Sequence, residues 1–270
     1  MHSREEKVQA LGRLIDVLDE LREKCPWDRK QTFDSLRPNT IEEVYELCDA
    51  TLAKDWKNVC KELGDVIEHV IFYAILGSEI SEFDIADICN TEADKLIFRH
   101  PHIYPPKEEN AVSGIEIKSD QDVLNSWEQI KLTEKDGNKT VLSGVPQSLP
   151  SLIKAYRIQD KARNVGFDLE KNEDVWVNVR EELSELEAEL AKGDAERSAE
   201  ELGDFVFSVV NAARLYKINP DTALERTNQK FIRRFNYVES KARLQGKDLK
   251  DMTLAEMDTL WNEAKSLEKN

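Results

Sequence analysis

The chain has 270 residues, with 54 acidic against 38 basic side chains and a formal charge of −16 at neutral pH. That excess of carboxylates argues against nucleic acid as a partner, because a phosphate backbone needs a clustered basic surface. No window approaches 18 uninterrupted apolar residues, and the opening MHSREEKVQALGRL lacks an apolar signal core. No membrane partner is therefore expected, and a cytoplasmic location is the default.

Helical spacing of Val8, Leu11, Leu14 or Ile15, Leu18 and Leu21 predicts a helix over residues 5–24, broken by Cys25-Pro26-Trp27-Asp28. A loop is expected through Pro38. Asn39 or Thr40 then caps a helix opening at Ile41, with Glu42 and Glu43 in its first turn and Val44, Leu47 and Cys48 as its apolar stripe. Further helices are expected over about 55–77 and 82–98, the latter stopping at His100-Pro101-His102. Residues 104–120 read as a surface loop and 121–134 as a short helix carrying Trp127. Cys25, Cys48, Cys60 and Cys89 contain no C-x-x-C pair and read as buried, reduced thiols.

The second half repeats this plan. A helix over 151–163 leads into Val165-Gly166-Phe167-Asp168, the counterpart of Cys25–Asp28. An acidic helix follows from about Asp174, with Val179, Leu183, Leu186 and Leu190 expected to be buried. The next carries Glu201 and Asp204 ahead of Phe205, Val206, Val209 and Val210. Pro220 opens a helix bearing Lys230, Arg233 and Arg234, and a last helix after Thr253 bears Trp261. No strand pattern occurs in either half. The expectation is an all-α protein of two tandem helical-bundle domains from an internal duplication: residues 1–134, a linker over 135–150, and residues 151–270.

The repeat extends to the charged residues. Glu43, Glu46, Glu62 and Asp65 match Glu182, Glu185, Glu201 and Asp204, and in both copies the E-x-x-E and E-x-x-D pairs lie nineteen residues apart. Lys95 and Arg99 match Lys230 and Arg234, and Trp127 matches Trp261. On a helix, E-x-x-E places both carboxylates on one side, about 100° from the buried stripe. If the following helix packs antiparallel, four carboxylates meet in one cleft, and a divalent cation is their natural neutraliser. All-oxygen ligation favours Mg²⁺ or Mn²⁺, and magnesium accepts phosphate oxygens, so a phosphate substrate is implied. Lys230 and Arg234 are suited to hold remaining phosphate charge, and Trp261 to stack on a base or ribose. Isolated glutamates on helices are usually just solvated; it is the duplicated set that raises the reading above that. His69, His100 and His102 read as core or helix-end residues. With no E-x-x-H motif, a di-iron carboxylate bundle is disfavoured.

Together CPWDRKQT (Cys25–Thr32), IEEVYEL (Ile41–Leu47), KELGD (Lys61–Asp65), RHPH (Arg99–His102) and WEQIK (Trp127–Lys131) resemble the MazG family of nucleoside triphosphate pyrophosphohydrolases, within the all-α NTP pyrophosphatase superfamily. NVGFD (Asn164–Asp168), EELSE (Glu181–Glu185), EELGD (Glu200–Asp204) and NQKFIRRF (Asn228–Phe235) extend the resemblance over nearly the whole chain. The resemblance implies Mg²⁺-dependent hydrolysis of NTPs to NMP and pyrophosphate, homodimers in which helices of two protomers complete each bundle, and a C-terminal catalytic unit. It implies Glu182, Glu185, Glu201 and Asp204 as metal ligands, with Glu182 and Glu185 catalytic. Lys230, Arg233, Arg234 and Trp261 are the implied substrate contacts, and Lys230 and Arg234 are also counted as catalytic. The sequence departs from the pattern at Asn178, where lysine is common, and at Leu169, where tryptophan often follows the Phe-Asp pair. Two rivals stand beside this reading: a dedicated enzyme of the dUTPase or phosphoribosyl-ATP pyrophosphohydrolase kind, and a non-catalytic acidic regulator that binds a protein.

Overall fold

The computed structural model describes residues 1–105, 140–169 and 172–268, so the helix expected over 121–134, with Trp127, lies outside the described residues. Among the described residues every regular element is helical. The chain divides into two compact units, one ending and the other beginning within the undescribed stretch that follows residue 105.

In the first unit, α1 (Arg4–Lys24) is started by a capping box between Ser3 and Glu6. It ends at Cys25, and Arg22 pins the following turn by donating to the carbonyl oxygens of Asp28 and Gln31. Helix α2 (Phe33–Ala53) begins eight residues before the expected start at Ile41. Thr32 and Ser35 close its capping box, and Pro38 is accommodated inside the helix. Pro38 therefore does not end a loop, against the expectation from the sequence. Pro38, the sixth residue of the helix, forgoes one helical N–H bond, and the helix continues through it. Thr40 is accordingly no cap: its hydroxyl bonds the Leu36 carbonyl, His69 Nδ1 and Tyr73 Oη. Helix α3 (Trp56–Glu79) is capped by Asp55, and α4 (Ile85–Arg99) by Asp84, which moves its start three residues beyond the expected Glu82. Leu18, Leu36, Ile71, Phe72 and Leu76 form the buried core that joins α1, α2 and α3.

The second unit contains α5 (Ser151–Arg163), α6 (Val175–Lys192), α7 (Ala195–Leu215), α8 (Pro220–Leu244) and α9 (Leu254–Leu267). Helices α6 and α7 pack along each other as α2 and α3 do in the first unit. Their connection is two residues long. Gly193 closes α6 at φ +76°, and Asp194 caps α7 by accepting from the N–H groups of Glu196 and Arg197. Lys54 and Asp55 make the same turn in the first unit, with Lys54 in the left-handed region at φ +56°. Val175, Val179 and Ala212 form one core cluster, and Val238, Ala242, Met252 and Leu260 form another between α8 and α9.

Several residues expected to be buried are not. Leu183 and Leu190 on α6 are exposed, and so are the apolar Val206 and Val209 of α7 and Val44 of the α2 stripe. The four cysteines are free, as expected, but Cys48, Cys60 and Cys89 are exposed rather than buried. An amphipathic stripe marks a surface that must be covered by something. Among the described residues of each unit the stripe is wider than the contacts within that unit that cover it.

Candidate active site

The short α6–α7 turn makes the two helices antiparallel neighbours, which brings E-x-x-E and E-x-x-D face to face. Oxygen atoms of Glu182, Glu201 and Asp204 lie within 4.8 Å of one another. Glu185 stands beside this trio, close enough for its charge to act on both Glu182 and Glu201. Burial, then the neighbouring charges of Glu185, Asp204 and Glu201, push the Glu182 carboxyl above the ordinary range. Glu201 is raised in the same way, by burial, Glu185 and Asp204. Both carboxyls are therefore held in a field of like charge.

The first unit repeats the arrangement, with Glu43, Glu46 and Glu62 oxygens within 4.8 Å of one another. Burial and the charges of Asp65, Glu46 and Glu62 raise the Glu43 carboxyl, against a smaller lowering influence from His69. Glu62 is 1 % exposed; its Oε1 accepts from Lys61 Nζ at 3.0 Å, while its Oε2 is buried without a partner. Lys61 also reaches Asp65 at 3.4 Å. The first cluster thus carries an internal cation that the second, with Glu200 at the matching position, lacks.

Both clusters fit a divalent cation. Their donors are all carboxylate oxygens, the set that suits Mg²⁺, Ca²⁺ or Mn²⁺ rather than zinc or copper. The raised carboxyls of Glu43, Glu182 and Glu201, and the orphaned Glu62 Oε2, are what such a cation would relieve.

The cations and the tryptophan expected at the site make their described contacts with Glu268, with one another and with the α8–α9 core. Arg234 forms two hydrogen bonds with Glu268, of 2.8 and 2.6 Å, and Arg233 approaches the same carboxylate at 3.6 Å. Lys230 adds its charge there; the Arg234 bonds and these cations hold Glu268 below its ordinary range despite opposing desolvation. The Arg234 guanidinium lies over the Trp261 ring at 5.7 Å, and Trp261 packs against Phe231 and the α8–α9 core. No described interaction joins these residues to the acidic cluster. In the first unit Lys95 pairs with Glu92 of its own helix.

Sequence reading missed a second part of the site. Glu182 and Asp204 also line a cleft of about 650 Å³ that runs between α5, α6 and α7, past Gln159, Asn178, Ser208 and Asn211 to Arg214 and Phe167. Arg214, almost wholly buried, grips Asp168 through two hydrogen bonds of 3.0 and 2.5 Å and also donates to Asn211 Oδ1. Burial alone would raise Asp168, but Arg214 and the Leu169 N–H outweigh it and hold the carboxyl low. One buried arginine thereby fixes both the loop after α5 and an amide of the cleft wall. An arginine within an otherwise apolar run, VFSVVNAARL, is the signal that points to this arrangement.

Comparison with known proteins agrees with the geometry. The family model described as MazG nucleotide pyrophosphohydrolase domain matches twice, at residues 31–104 and 170–239. A nucleoside triphosphate pyrophosphohydrolase of Escherichia coli K12 is 38 % identical over 265 residues, covering 96 % of this chain and 98 % of its own. The Thermotoga maritima protein named nucleoside triphosphate pyrophosphohydrolase/pyrophosphatase MazG is 38 % identical over 255 residues, covering 93 % and 94 %. The uncharacterized protein YabN of Bacillus subtilis is 42 % identical over 247 residues, which is 91 % of this chain but 49 % of that one. Two acidic helix pairs in tandem, each inside a match to the same family model, make this chain an enzyme of the MazG nucleotide pyrophosphohydrolase family.

Proposed function

We propose that the second unit hydrolyses nucleoside triphosphates to nucleoside monophosphate and pyrophosphate, using Mg²⁺ (or Mn²⁺) held by Glu182, Glu185, Glu201 and Asp204. The observation that carries this reading is the convergence of Glu182, Glu201 and Asp204 within 4.8 Å, with no ion pair to any of them among the described residues. When bound, the metal would screen the triphosphate charge and acidify a water molecule.

The protein's own groups do the rest. Glu185, the member of the quartet that stands beside the trio, accepts the proton of the attacking water at a carboxylate oxygen not engaged with the metal. The water oxygen bonds to the α-phosphorus as the bond from that phosphorus to the α–β bridging oxygen breaks. The electron pair departs with pyrophosphate. Arg233 and Arg234, once Glu268 that now pairs with them gives way, meet the departing charge together with Lys230. Trp261, already beneath Arg234, moves with them.

A homodimer is part of this reading. Phe231, Ile232 and Phe235 on α8, with Leu202, Val206 and Val209 on α7, expose apolar side chains that a second protomer would cover. No helix among the described residues is long and apolar enough to cross a membrane. Action on the nucleotide pool would place the enzyme in the cytoplasm. We read the role as broad housecleaning or regulation of that pool, the alternative being a dedicated enzyme for one non-canonical nucleotide. Turnover of the canonical NTPs beside dUTP and a few modified NTPs separates the two. The reaction itself is tested by product analysis with ATP and Mg²⁺. AMP and pyrophosphate are expected, whereas ADP and orthophosphate would sink the proposal.

A further inference from the structure

The two units can be compared position by position, because their acidic clusters lie a constant 139 residues apart: Glu43 and Glu182, Glu46 and Glu185, Glu62 and Glu201, Asp65 and Asp204. The same interval pairs Leu36 with Val175, His69 with Ser208, and Phe72 with Asn211. In the first unit Phe72 is 3 % exposed and packs against Leu18, Leu36, Ile71 and Leu76. His69, 8 % exposed, is engaged by Thr40. That space is filled. In the second unit the smaller, polar Ser208 and Asn211 line the cleft of about 650 Å³ instead, and the cleft runs up to Glu182 and Asp204. Its size falls within the ordinary range for small-molecule sites.

One group in this cleft is unfinished. Gln159 is 7 % exposed, and its Nε2 donates to the Phe207 carbonyl oxygen at 2.8 Å. Its Oε1 is buried and accepts no hydrogen bond. A buried acceptor left unpaired costs about 1–3 kcal/mol, so a donor brought by a ligand would relieve that cost. Asn211 complements it. With Oδ1 taken by Arg214, the atom it has left is the amide nitrogen, a donor. An acceptor and a donor on the walls of a mostly apolar cleft, with Phe167 at 82 % exposure on its rim, match the polar edge and flat face of a nucleobase.

We infer that the α5–α6–α7 cleft of the second unit receives the nucleoside of the substrate, with Gln159 Oε1 accepting an N–H from the base, and that the first unit lost this function when Phe72 filled the same space. The inference deepens the proposed reaction and rests on it for the placing of the phosphates at Glu182 and Asp204. Every canonical base carries an N–H on its pairing edge, so this acceptor holds a base without choosing strongly among them. It also provides a reason, within the chain itself, for the second unit to be the working one.

The test is direct binding of AMP and of purine riboside 5′-monophosphate, whose base has no N–H, to the full chain in EDTA, followed by calorimetry or NMR. The wild type is expected to favour AMP by roughly tenfold, the factor corresponding to one unpaired buried acceptor. Gln159→Leu should lose that preference. Asn211→Phe, which installs the residue of the first unit, should abolish binding of both. If the wild type binds neither ligand at millimolar concentration, or if Gln159→Leu keeps the preference, the inference fails. If circular dichroism shows Asn211→Phe to be misfolded, Gln159→Leu decides alone. Because this assay needs neither metal nor turnover, base-selective binding without NTP hydrolysis would refute the reaction and spare the cleft. Normal hydrolysis of ATP with an unchanged KM in both variants would do the reverse.

Discussion

Replacing Glu182 by glutamine should change the stability of the second unit in opposite directions with and without metal. In the metal-free protein the Glu182 carboxyl is raised by burial and by Glu185, Asp204 and Glu201. A carboxyl raised on folding contributes its stability below the unfolded-state pKa and loses it as pH rises through the folded value. Above the folded value the repulsion is fully present, and an amide of the same shape removes one of the repelling charges. Glu182→Gln in EDTA should melt at or above the wild type. With Mg²⁺ at one hundred times its dissociation constant, a site present only in the folded state adds about 2.7 kcal/mol. For a unit of this size that corresponds to roughly 5–10 °C in Tm. The wild type should gain this increment and Glu182→Gln should lose most of it, so the order of the two melting curves reverses on adding metal. Differential scanning calorimetry at pH 7.5 in EDTA and in Mg²⁺ reads both effects. If Glu182→Gln melts below the wild type in EDTA, and its Mg²⁺ shift equals that of the wild type, then Glu182 is a structural partner rather than a metal ligand.

Other consequences follow from single residues. Gly193 occupies the left-handed region at φ +76° in the turn that aligns α6 with α7, so Gly193→Ala should destabilise the second unit by about 1 kcal/mol, measured by urea denaturation. Lys54→Gly, at the equivalent turn of the first unit, should be neutral or stabilising in the same assay. Ile71, 1 % exposed in the core of the first unit, should cost about 2–5 kcal/mol when replaced by alanine. Glu256 is held down to about 2 by Lys247 and by the backbone and hydroxyl of Thr253, so its contribution is present above its ordinary value of 4.5. Acid titration followed by circular dichroism should show the difference between wild type and Glu256→Gln vanish as pH falls from 4.5 towards 2.

The acidic clusters were legible in the sequence because i, i+3 spacing on a helix and a two-residue turn leave few choices of geometry. Pairs on α6 and α7 had to meet once the helices packed as neighbours. The start of α2 was not legible, because Pro38 looks like a boundary and only the Thr32–Ser35 capping box, three residues apart, outweighs it. Leu183 and Leu190 satisfied the helical stripe as well as Leu186 did, yet a periodic pattern cannot tell an internal neighbour from a surface awaiting a partner. The cleft was hidden for another reason. Gln159 sits in the polar stretch YRIQDKAR, where nothing local distinguishes a buried glutamine from a solvated one. Its surroundings come from Phe207, Asn211 and Arg214, some fifty residues away. Long-range side-chain pairs such as Arg214 with Asp168 leave no periodic trace.

The central claim is that the cluster on α6 and α7 performs the reaction while its copy on α2 and α3 does not. Pyrophosphate release from ATP and Mg²⁺ by Glu201→Ala and by Glu62→Ala tests it most directly. The account predicts that Glu201→Ala abolishes most activity and that Glu62→Ala keeps much of it, since Glu62 is already answered by Lys61 and its unit has Phe72 in place of the cleft. Equal losses in the two variants, or a greater loss in Glu62→Ala, would contradict it.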